Sequence, residues 1–324
     1  MLKYIVKRVL LLIPTMLCVA FIVFSLMELT PGSPEVILLG EGATEEAYQE
    51  VREEYGLDRP FLTRFVDYIV GVFQGDLGTS WRTGRSVASE LSVRFANTLK
   101  LAIVSMIVAI AIGVPLGIIS AVKQYSAVDT ISSLLAMFFA AVPPFWLGMI
   151  LMLVFALNLR WLPPLGLDSA KHFILPVLTI SIPRAAALMR FSRSSMLETI
   201  RADYIRTARA KGAPERIVVM KHALRNALMP IITVLGVQFG VLLGGIVVIE
   251  QVFVIGGVGT FSLTAINNKD VPQVMGSVII LSAAFCLIML IVDIAYGMID
   301  PRTRAMYQSG KRKKRSSKLE GSKA

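Results

Sequence analysis

A dense group of charged side chains lies in the middle of the chain, in the passage RTARAKGAPERIVVMKHALRN from Arg206 to Asn226. It contains six Lys or Arg residues and a single acid, Glu215. At roughly 2.5–3.5 kcal/mol for each cation at the centre of a bilayer, burying all six in lipid would cost about 15–21 kcal/mol. This passage is therefore expected to lie in water, where its cations can pair with anionic groups.

Residue patterns for catalysis are absent from the sequence. The two histidines, His172 and His222, fall on opposite sides of the membrane in the topology predicted below, and no H-E-x-x-H or G-x-S-x-G pattern occurs. GGVGTFS, which begins at Gly256, lacks the Lys-Ser/Thr pair of a phosphate-binding loop. Cys18 and Cys286 lie in apolar stretches, where an extracellular disulfide is not expected. We expect neither enzyme activity nor a cofactor in this chain.

Most of the remaining sequence is apolar enough for a membrane protein, with 55% hydrophobic and 17% charged residues and a mean hydropathy of +0.68. A helix needs roughly 17–25 apolar residues to cross the hydrocarbon layer of a bilayer. Six stretches qualify, near Val9–Met27, Leu99–Val122, Ile131–Asn158, Phe173–Arg190, Leu228–Ile249 and Val274–Met298. The sequence thus predicts an all-α membrane protein with six transmembrane helices, the first of them a retained anchor.

The distribution of Lys and Arg predicts the orientation of these spans. With the N-terminus inside, the inner side carries 22 of them and the outer side nine. An excess of cations on the cytoplasmic side places both termini in the cytoplasm. The same distribution accounts for the net charge of +11 without nucleic acid, and the tail sequence KRKKRSSK can lie on anionic lipid.

Four parts follow from this topology. They are an anchor helix at residues 1–29, an extracytoplasmic segment at 30–97, a five-helix core at 98–299 that includes a cytoplasmic loop at 191–227, and a basic tail at 300–324. In the extracytoplasmic segment, Thr44 is predicted to cap a helix that Gly56 ends. A second helix follows Pro60, and its apolar face is expected to pack against neighbouring spans, with a direct substrate site as the alternative. That face consists of Phe61, Phe65, Ile69 and Phe73.

The basic passage itself predicts two helices separated by a sharp stop, an arrangement that we call the elbow (residues 204–228). Gly212 suits the left-handed end of the first helix, and Pro214 and Glu215 suit the start of the second. The first helix has Tyr204, Ile205 and Ala208 along one side, and the second has an apolar stripe of Ile217, Met220, Leu224 and Leu228. An ordinary loop arranged as a helical hairpin would give the same pattern. A DNA-binding helix-turn-helix is also basic, but both ends of the elbow join predicted spans.

With RTARAKG followed by HALRNALMP, the elbow resembles the coupling loop of bacterial ABC importer permeases of the dipeptide, oligopeptide and nickel family. The resemblance extends over residues 1 to about 305. Further stretches similar to that family occur in the right order: GLDRP at 56–60, GDLGTSW at 75–81, PPFWLG at 143–148, WLPPLG at 161–166, LLGGIVVIEQVF at 242–253, KDVPQVMG at 269–276 and DPRTR at 300–304. The sequence departs from importer patterns at Arg206 and Arg225, where many coupling loops have Glu and Pro, and at Gly256, where this family commonly has Pro.

The resemblance implies a type I ABC importer permease fold and the first permease of a pair, in a bacterial plasma membrane. It implies import of small peptides, with a nickel chelate or glutathione as the alternatives. The implied partners are a second, homologous permease, two ATP-binding subunits that hold ATP and Mg, and an extracytoplasmic peptide-binding protein. The residues expected at the ATPase contact are Ala208, Arg209, Lys211, Gly212 and Ala213, with Arg206 and Glu215 as second choices.

A secondary transporter is the main alternative class. Such proteins usually need ionisable residues inside the membrane, whereas Glu28, Glu250 and Asp293 lie at or near the ends of predicted spans. Interfacial placement is the expected role of all three. Glu250 lies in a stretch similar to the permease family, near the outer end of the fifth span, and is also a candidate for an outer gate.

Overall fold

The computed structural model describes residues 2–30, 33–167 and 169–299, so the predicted basic tail at 300–324 lies outside the described residues. The described part is helical and contains no β-strand. Five long, apolar helices can each cross a bilayer. They are α1 (Leu2–Leu29), α5 (Val87–Val122), α8 (Ala170–Ile200), α11 (Leu224–Val252) and α13 (Val271–Ile299). The shorter helices are α2 (Pro34–Leu39), α3 (Glu45–Glu54), α4 (Phe61–Phe73), α9 (Asp203–Ala210), α10 (Glu215–Ile217) and α12 (Val258–Asn267).

One predicted span, near Ile131–Asn158, is broken in its middle. It consists of α6 (Ala127–Ala141), α7 (Pro144–Leu151) and a π-helical continuation of α7, Met152–Asn158. The two arms meet at 101°. Pro143 and Pro144 explain the break, because neither can donate a backbone hydrogen bond and each disfavours a helical conformation of the residue before it. The structure therefore has six spans when this bent pair is counted as one, but the continuous helix suggested by the apolar run is not formed.

Helices α5 and α8 approach each other so closely that their backbones touch. A methyl group at Gly113 would lie 2.5 Å from the carbonyl oxygen of Ala185, and one at Gly117 would lie 2.5 Å from that of Met189. Only glycine permits so close an approach, which is how small residues four positions apart hold membrane helices together. Both contacts advance by one turn in the same direction along the two helices, so α5 and α8 run parallel.

The predicted ends of α3 are confirmed. The hydroxyl of Thr44 accepts a hydrogen bond from the backbone N–H of Ala47 at 3.3 Å. After the helix ends, Gly56 adopts φ +63°, the left-handed conformation that glycine allows without steric cost. Capping residues thus fix both ends of this exposed helix.

The apolar face of α4 packs against α1. The ring centroids of Phe61 and Phe65 lie 5.2 and 5.6 Å from that of Phe24 in α1, and Ile69 belongs to the same apolar cluster. Phe73, at the end of α4, is 70% exposed. The predicted packing against neighbouring spans is confirmed for the first three residues of this face and is wrong for Phe73, which lies beyond the end of the contact.

Two loops that are distant in sequence meet beside the start of α13. The hydroxyl of Ser80 donates a hydrogen bond to Asp270 Oδ2 at 2.5 Å, and Arg82 Nη1 donates to Asn268 Oδ1 at 2.7 Å. Asp270 also accepts a hydrogen bond from the backbone N–H of Gln273 at 3.3 Å, which caps α13. These contacts join the stretch before α5 to the turn between α12 and α13.

Candidate functional site

The elbow has the helix, stop and helix that its sequence predicts. Helix α9 ends at Ala210, and Gly212 adopts φ +78°. The N–H of Gly212 donates to the carbonyl of Arg209 at 2.9 Å, and that of Ala213 donates to the carbonyl of Ala208 at 3.3 Å. This pair of bonds is the Schellman arrangement, in which a left-handed residue closes the helix. The predicted left-handed end at Gly212 is confirmed.

An ion pair braces the two arms of the elbow. Arg209 Nη2 lies 2.6 Å from Glu215 Oε1, and Arg209 Nε lies 3.0 Å from Glu215 Oε2, so the guanidinium binds the carboxylate through two parallel hydrogen bonds. The hydrogen bonds that Arg209 donates to the Glu215 carboxylate raise the pKa of Arg209 further above its usual range. Both side chains are substantially exposed, and such pairs typically contribute about 0.2–1 kcal/mol. Arg209 is thus already paired with a residue of the elbow itself.

The inner side of the elbow packs on the ends of the long helices. Ile205 is fully buried there, and Ala208 and Ala213 are half-buried against the same apolar cluster. The buried members of this cluster are Ala121, Met196, Ile205, Val218, Val219, Ala223 and Ala227. The two predicted contact alanines therefore face their own chain in part.

The outer side of the elbow presents cations. Arg206, Lys211 and Gly212 are exposed. Arg206 Nη1 lies 3.7 Å from Asp203 Oδ1, at the long end of the range for an ion pair on a helix surface. Together with the exposed parts of Arg209 and Glu215, these residues form the surface that a docking partner would meet first.

The second arm of the elbow is not the continuous α-helix that its predicted apolar stripe assumes. After α10 the chain forms a π-helical turn, Val218–Ala223, before α11 begins. A π-helix pairs each residue with the fifth one along rather than the fourth, which shifts the residues that face inward. Val218 and Ala223 are buried, whereas Ile217 is 46% and Met220 56% exposed. Two large apolar side chains thus lie on the surface of the elbow.

A partly buried ion pair near the elbow was not predicted from the sequence. Arg193 in α8 binds Asp129 in α6 with Nε–Oδ1 and Nη2–Oδ2 distances of 2.6 and 2.8 Å. Asp129 also accepts hydrogen bonds from the hydroxyl of Ser120 in α5 and from the backbone N–H of Tyr125. Ser126 before α6, with an acid three residues later, is the capping pattern that marks this position in the sequence. The cluster ties three helices together where α5 turns into α6.

Glu250, the candidate for an outer gate, lies near the end of α11 and is completely buried. Its Oε1 accepts a hydrogen bond from the hydroxyl of Thr98 at 2.6 Å, and its Oε2 accepts one from the backbone N–H of Thr260 at 2.9 Å. The Thr98 hydroxyl in turn accepts from the N–H of Val258 at 2.9 Å. A methyl group at Gly257 would overlap the Glu250 carboxylate. One side chain therefore joins α5, the end of α11 and the start of α12.

Comparison with known proteins identifies the same architecture. Residues 113–305 match the family "Binding-protein-dependent transport system inner membrane component", and residues 1–102 match the N-terminal domain described for such membrane components. The chain is 44% identical to the glutathione transport system permease protein GsiC of Salmonella choleraesuis (strain SC-B67), over 94% of this chain and 99% of that protein. It is 42% identical to the GsiC protein of Escherichia coli (strain K12) over the same shares.

Solved structures of the methionine ABC transporter MetNI, in inward-facing conformations, have a similar fold. The TM-scores are 0.51 and 0.53 for two crystal forms, at 20% sequence identity, with 65% of this chain and 96% of that chain covered. The shared part is the permease fold, which confirms the fold predicted from the sequence. The chain thus belongs to the family of binding-protein-dependent transport system inner membrane components and is a permease subunit of an ABC importer.

Proposed function

We propose that this permease subunit moves small peptides across the plasma membrane of a bacterium, with glutathione or a nickel chelate as the alternative cargo. The name of the GsiC relatives supports glutathione as the cargo about as well as other small peptides are supported. Glutathione is itself a tripeptide, so the peptide and glutathione proposals belong to one chemical class. Both chain termini are proposed to lie in the cytoplasm, as the excess of Lys and Arg on that side favours.

The elbow is the observation that carries the coupling proposal. Its exposed surface combines two apolar side chains, Ile217 and Met220, with the cations Arg206 and Lys211. An apolar centre with a charged rim suits the docking of a short helix into a groove of another protein. We propose that this groove belongs to an ATP-binding subunit.

The complete transporter is proposed to contain a second, homologous permease, two ATP-binding subunits that hold ATP and Mg, and an extracytoplasmic binding protein. Closure of the ATP-binding subunits draws the two elbows together. The second arm of the elbow continues into α11, and Arg193 in α8 is tied to Asp129 in α6, so movement of the elbow is passed to several spans at once. Coupling requires that the ATP-bound partners bind one permease conformation more tightly than the other.

Glu250 is proposed to act at the outer gate by holding α12 in place. Its hydrogen bonds to Thr98 and to the N–H of Thr260 connect α12 with two spans. An outward-open state that accepts cargo from the binding protein would have to move this connected group as a unit.

The test is reconstitution of the complete transporter in proteoliposomes. The chain is expressed with the proposed second permease, ATP-binding subunits and binding protein. Uptake of labelled glutathione, dialanine and nickel–histidine is then measured with and without ATP. We expect ATP-dependent uptake of at least one of them, whereas uptake that follows an ion gradient and ignores ATP would favour a secondary transporter.

Substitutions on the elbow test the docking surface separately. Met220→Asp should reduce co-purification of the ATP-binding subunits several-fold, because it places a charge in the apolar centre of the proposed contact. Val93→Asp is the matched control, since Val93 is 67% exposed on α5 at the other end of the fold. Equal recovery of the ATP-binding subunits with Met220→Asp and wild type would remove this surface from the proposal.

A further inference from the structure

An arginine lies in the middle of the membrane-spanning part of the chain. Arg184 is one residue from the midpoint of α8 (Ala170–Ile200) and falls within the predicted span near Phe173–Arg190. A cation at the centre of a bilayer costs about 2.5–3.5 kcal/mol on insertion scales, so such residues are rare and typically functional. Along the helix, Arg184 is six residues, or about 9 Å, from the nearer end of that predicted span at Arg190. Arg184 therefore lies inside the predicted span rather than at its boundary.

The surroundings of Arg184 leave part of its guanidinium unpaired. Nη1 donates a long hydrogen bond of 3.4 Å to Oε1 of Gln238, which is at the midpoint of α11 (Leu224–Val252). Nε is buried and has no hydrogen-bond partner. Among residues 2–30, 33–167 and 169–299, no carboxylate forms an ion pair with Arg184. A neutral amide thus provides weak compensation for a cation at this depth.

A second unpaired donor lies next to it on the same face of α8. The Oγ atom of Ser181, one turn before Arg184, is fully buried and also has no partner. Residues three positions apart on a helix are neighbours on its surface. Two adjacent polar side chains therefore have unused hydrogen-bonding capacity at the level of the bilayer where water is scarcest.

The chemistry of this group selects its ligand. A guanidinium presents its donors in a planar fork that matches the two oxygens of a carboxylate. Gln238 holds the guanidinium from one side, and Nε and Ser181 are sealed from solvent, so a ligand would meet the partly exposed remainder of the guanidinium. A small carboxylate would pair with that exposed part and neutralise the charge, whereas an apolar or cationic ligand would do neither.

We infer that Arg184, supported by Gln238, is a carboxylate-binding site on the translocation path. The inference rests on the proposed function and deepens it, because all three proposed cargoes share this group. A peptide and glutathione each carry a terminal α-carboxylate, and the amino-acid ligands of a nickel chelate carry one as well. The site binds that carboxylate as the cargo passes the middle of the membrane.

The experiment uses the complete transporter in proteoliposomes, with saturating binding protein loaded with labelled glutathione or dialanine. Uptake and ATP hydrolysis are measured together for Arg184→Gln, Arg184→Lys and the control Arg190→Gln. Arg190 is exposed on the same helix, so its substitution removes the same charge without touching the Gln238 pair. We expect Arg184→Gln to lower uptake per ATP hydrolysed at least tenfold, while ATP hydrolysis stimulated by the binding protein stays within twofold of wild type.

The conservative variants complete the test. Arg184→Lys should recover part of the uptake because it keeps the charge and loses the fork, and Arg190→Gln should stay within twofold of wild type. Uptake per ATP within twofold of wild type for Arg184→Gln would overturn the inference. So would failure of both Arg184 variants to assemble with the partner subunits, since this would indicate a packing role. Absence of ATP-dependent uptake by the wild-type transporter would overturn the proposed function itself. This outcome is seen with the wild-type transporter alone, so it can be distinguished from failure of the Arg184 inference.

Discussion

Substitution of Gly212 by valine tests whether the shape of the elbow transmits work. Gly212 adopts φ +78°, and a Cβ atom there would meet nothing within 4 Å, so the substitution changes backbone preference without a steric clash. The left-handed conformation costs an ordinary L-residue roughly 1–2 kcal/mol, and a β-branched residue suffers most. A penalty of about 1–2 kcal/mol lowers the population of the native elbow relative to distorted forms by a factor of about 5–30.

Attachment of the ATP-binding subunits is the direct measurement for this variant. We expect Gly212→Val to insert at the wild-type level, judged by immunoblot of membranes, and to retain several-fold less of the ATP-binding subunits on purification, with uptake reduced in parallel. Gly212→Asn should behave nearly as wild type, because asparagine tolerates the left-handed region.

Gly75 provides a matched control for the same backbone strain. It follows α4 with φ +85°, its N–H and that of Asp76 close the helix with the same pair of bonds, and a Cβ atom there also meets nothing within 4 Å. Gly75→Val should therefore strain the chain equally, far from the elbow, and leave attachment unchanged. If Gly212→Val holds the ATP-binding subunits as firmly as Gly75→Val does, the reasoning about the elbow is refuted.

Three further substitutions test the internal framework, each by thermal unfolding of the purified chain in detergent. Arg193→Ala should destabilise the fold by up to about 3–5 kcal/mol because it leaves the buried Asp129 carboxylate unpaired, and an unchanged unfolding temperature would show that the pair is dispensable. Gly117→Val should lower the free energy of unfolding by about 1–3 kcal/mol or more, because it forces α5 away from α8. Gly244→Val should lower it less, because a Cβ atom there meets nothing within 4 Å. Equal losses for the two variants would contradict the close packing. Glu250→Ala should cost about 1–3 kcal/mol for each of the two donors that it leaves without an acceptor, and wild-type stability would show that water replaces the carboxylate.

Local features of the fold could be predicted from the sequence because each depends on a few neighbouring residues. The apolar runs located the spans, since an exposed backbone is not tolerated in lipid. Gly212 marked the stop in the elbow and Thr44 marked the start of α3, because both act on backbone groups within three or four residues. The role expected of the elbow came instead from its resemblance to the coupling loop of importer permeases.

Features that depend on distant residues or on register could not be predicted in this way. Hydropathy does not distinguish a continuous helix from one broken at Pro143, because both arms are equally apolar. The π-helical turn rotated Met220 to the surface, and no periodic pattern indicates such a turn. Asp129 and Arg193 are 64 positions apart, so their pairing follows only from the packing of α6 on α8.

The contact of Gly113 and Gly117 with the backbone of α8 limits how this transporter can change shape. Sliding one helix past the other by a single residue would drive side chains into carbonyl oxygens, so α5 and α8 are expected to move together as one rigid body. The change between inward-open and outward-open states is then confined to helix contacts made by side chains alone, and to the bend at Pro143 that already interrupts a span. Evolution of faster or slower transport in this chain would be expected to alter residues at those contacts while sparing the two glycines.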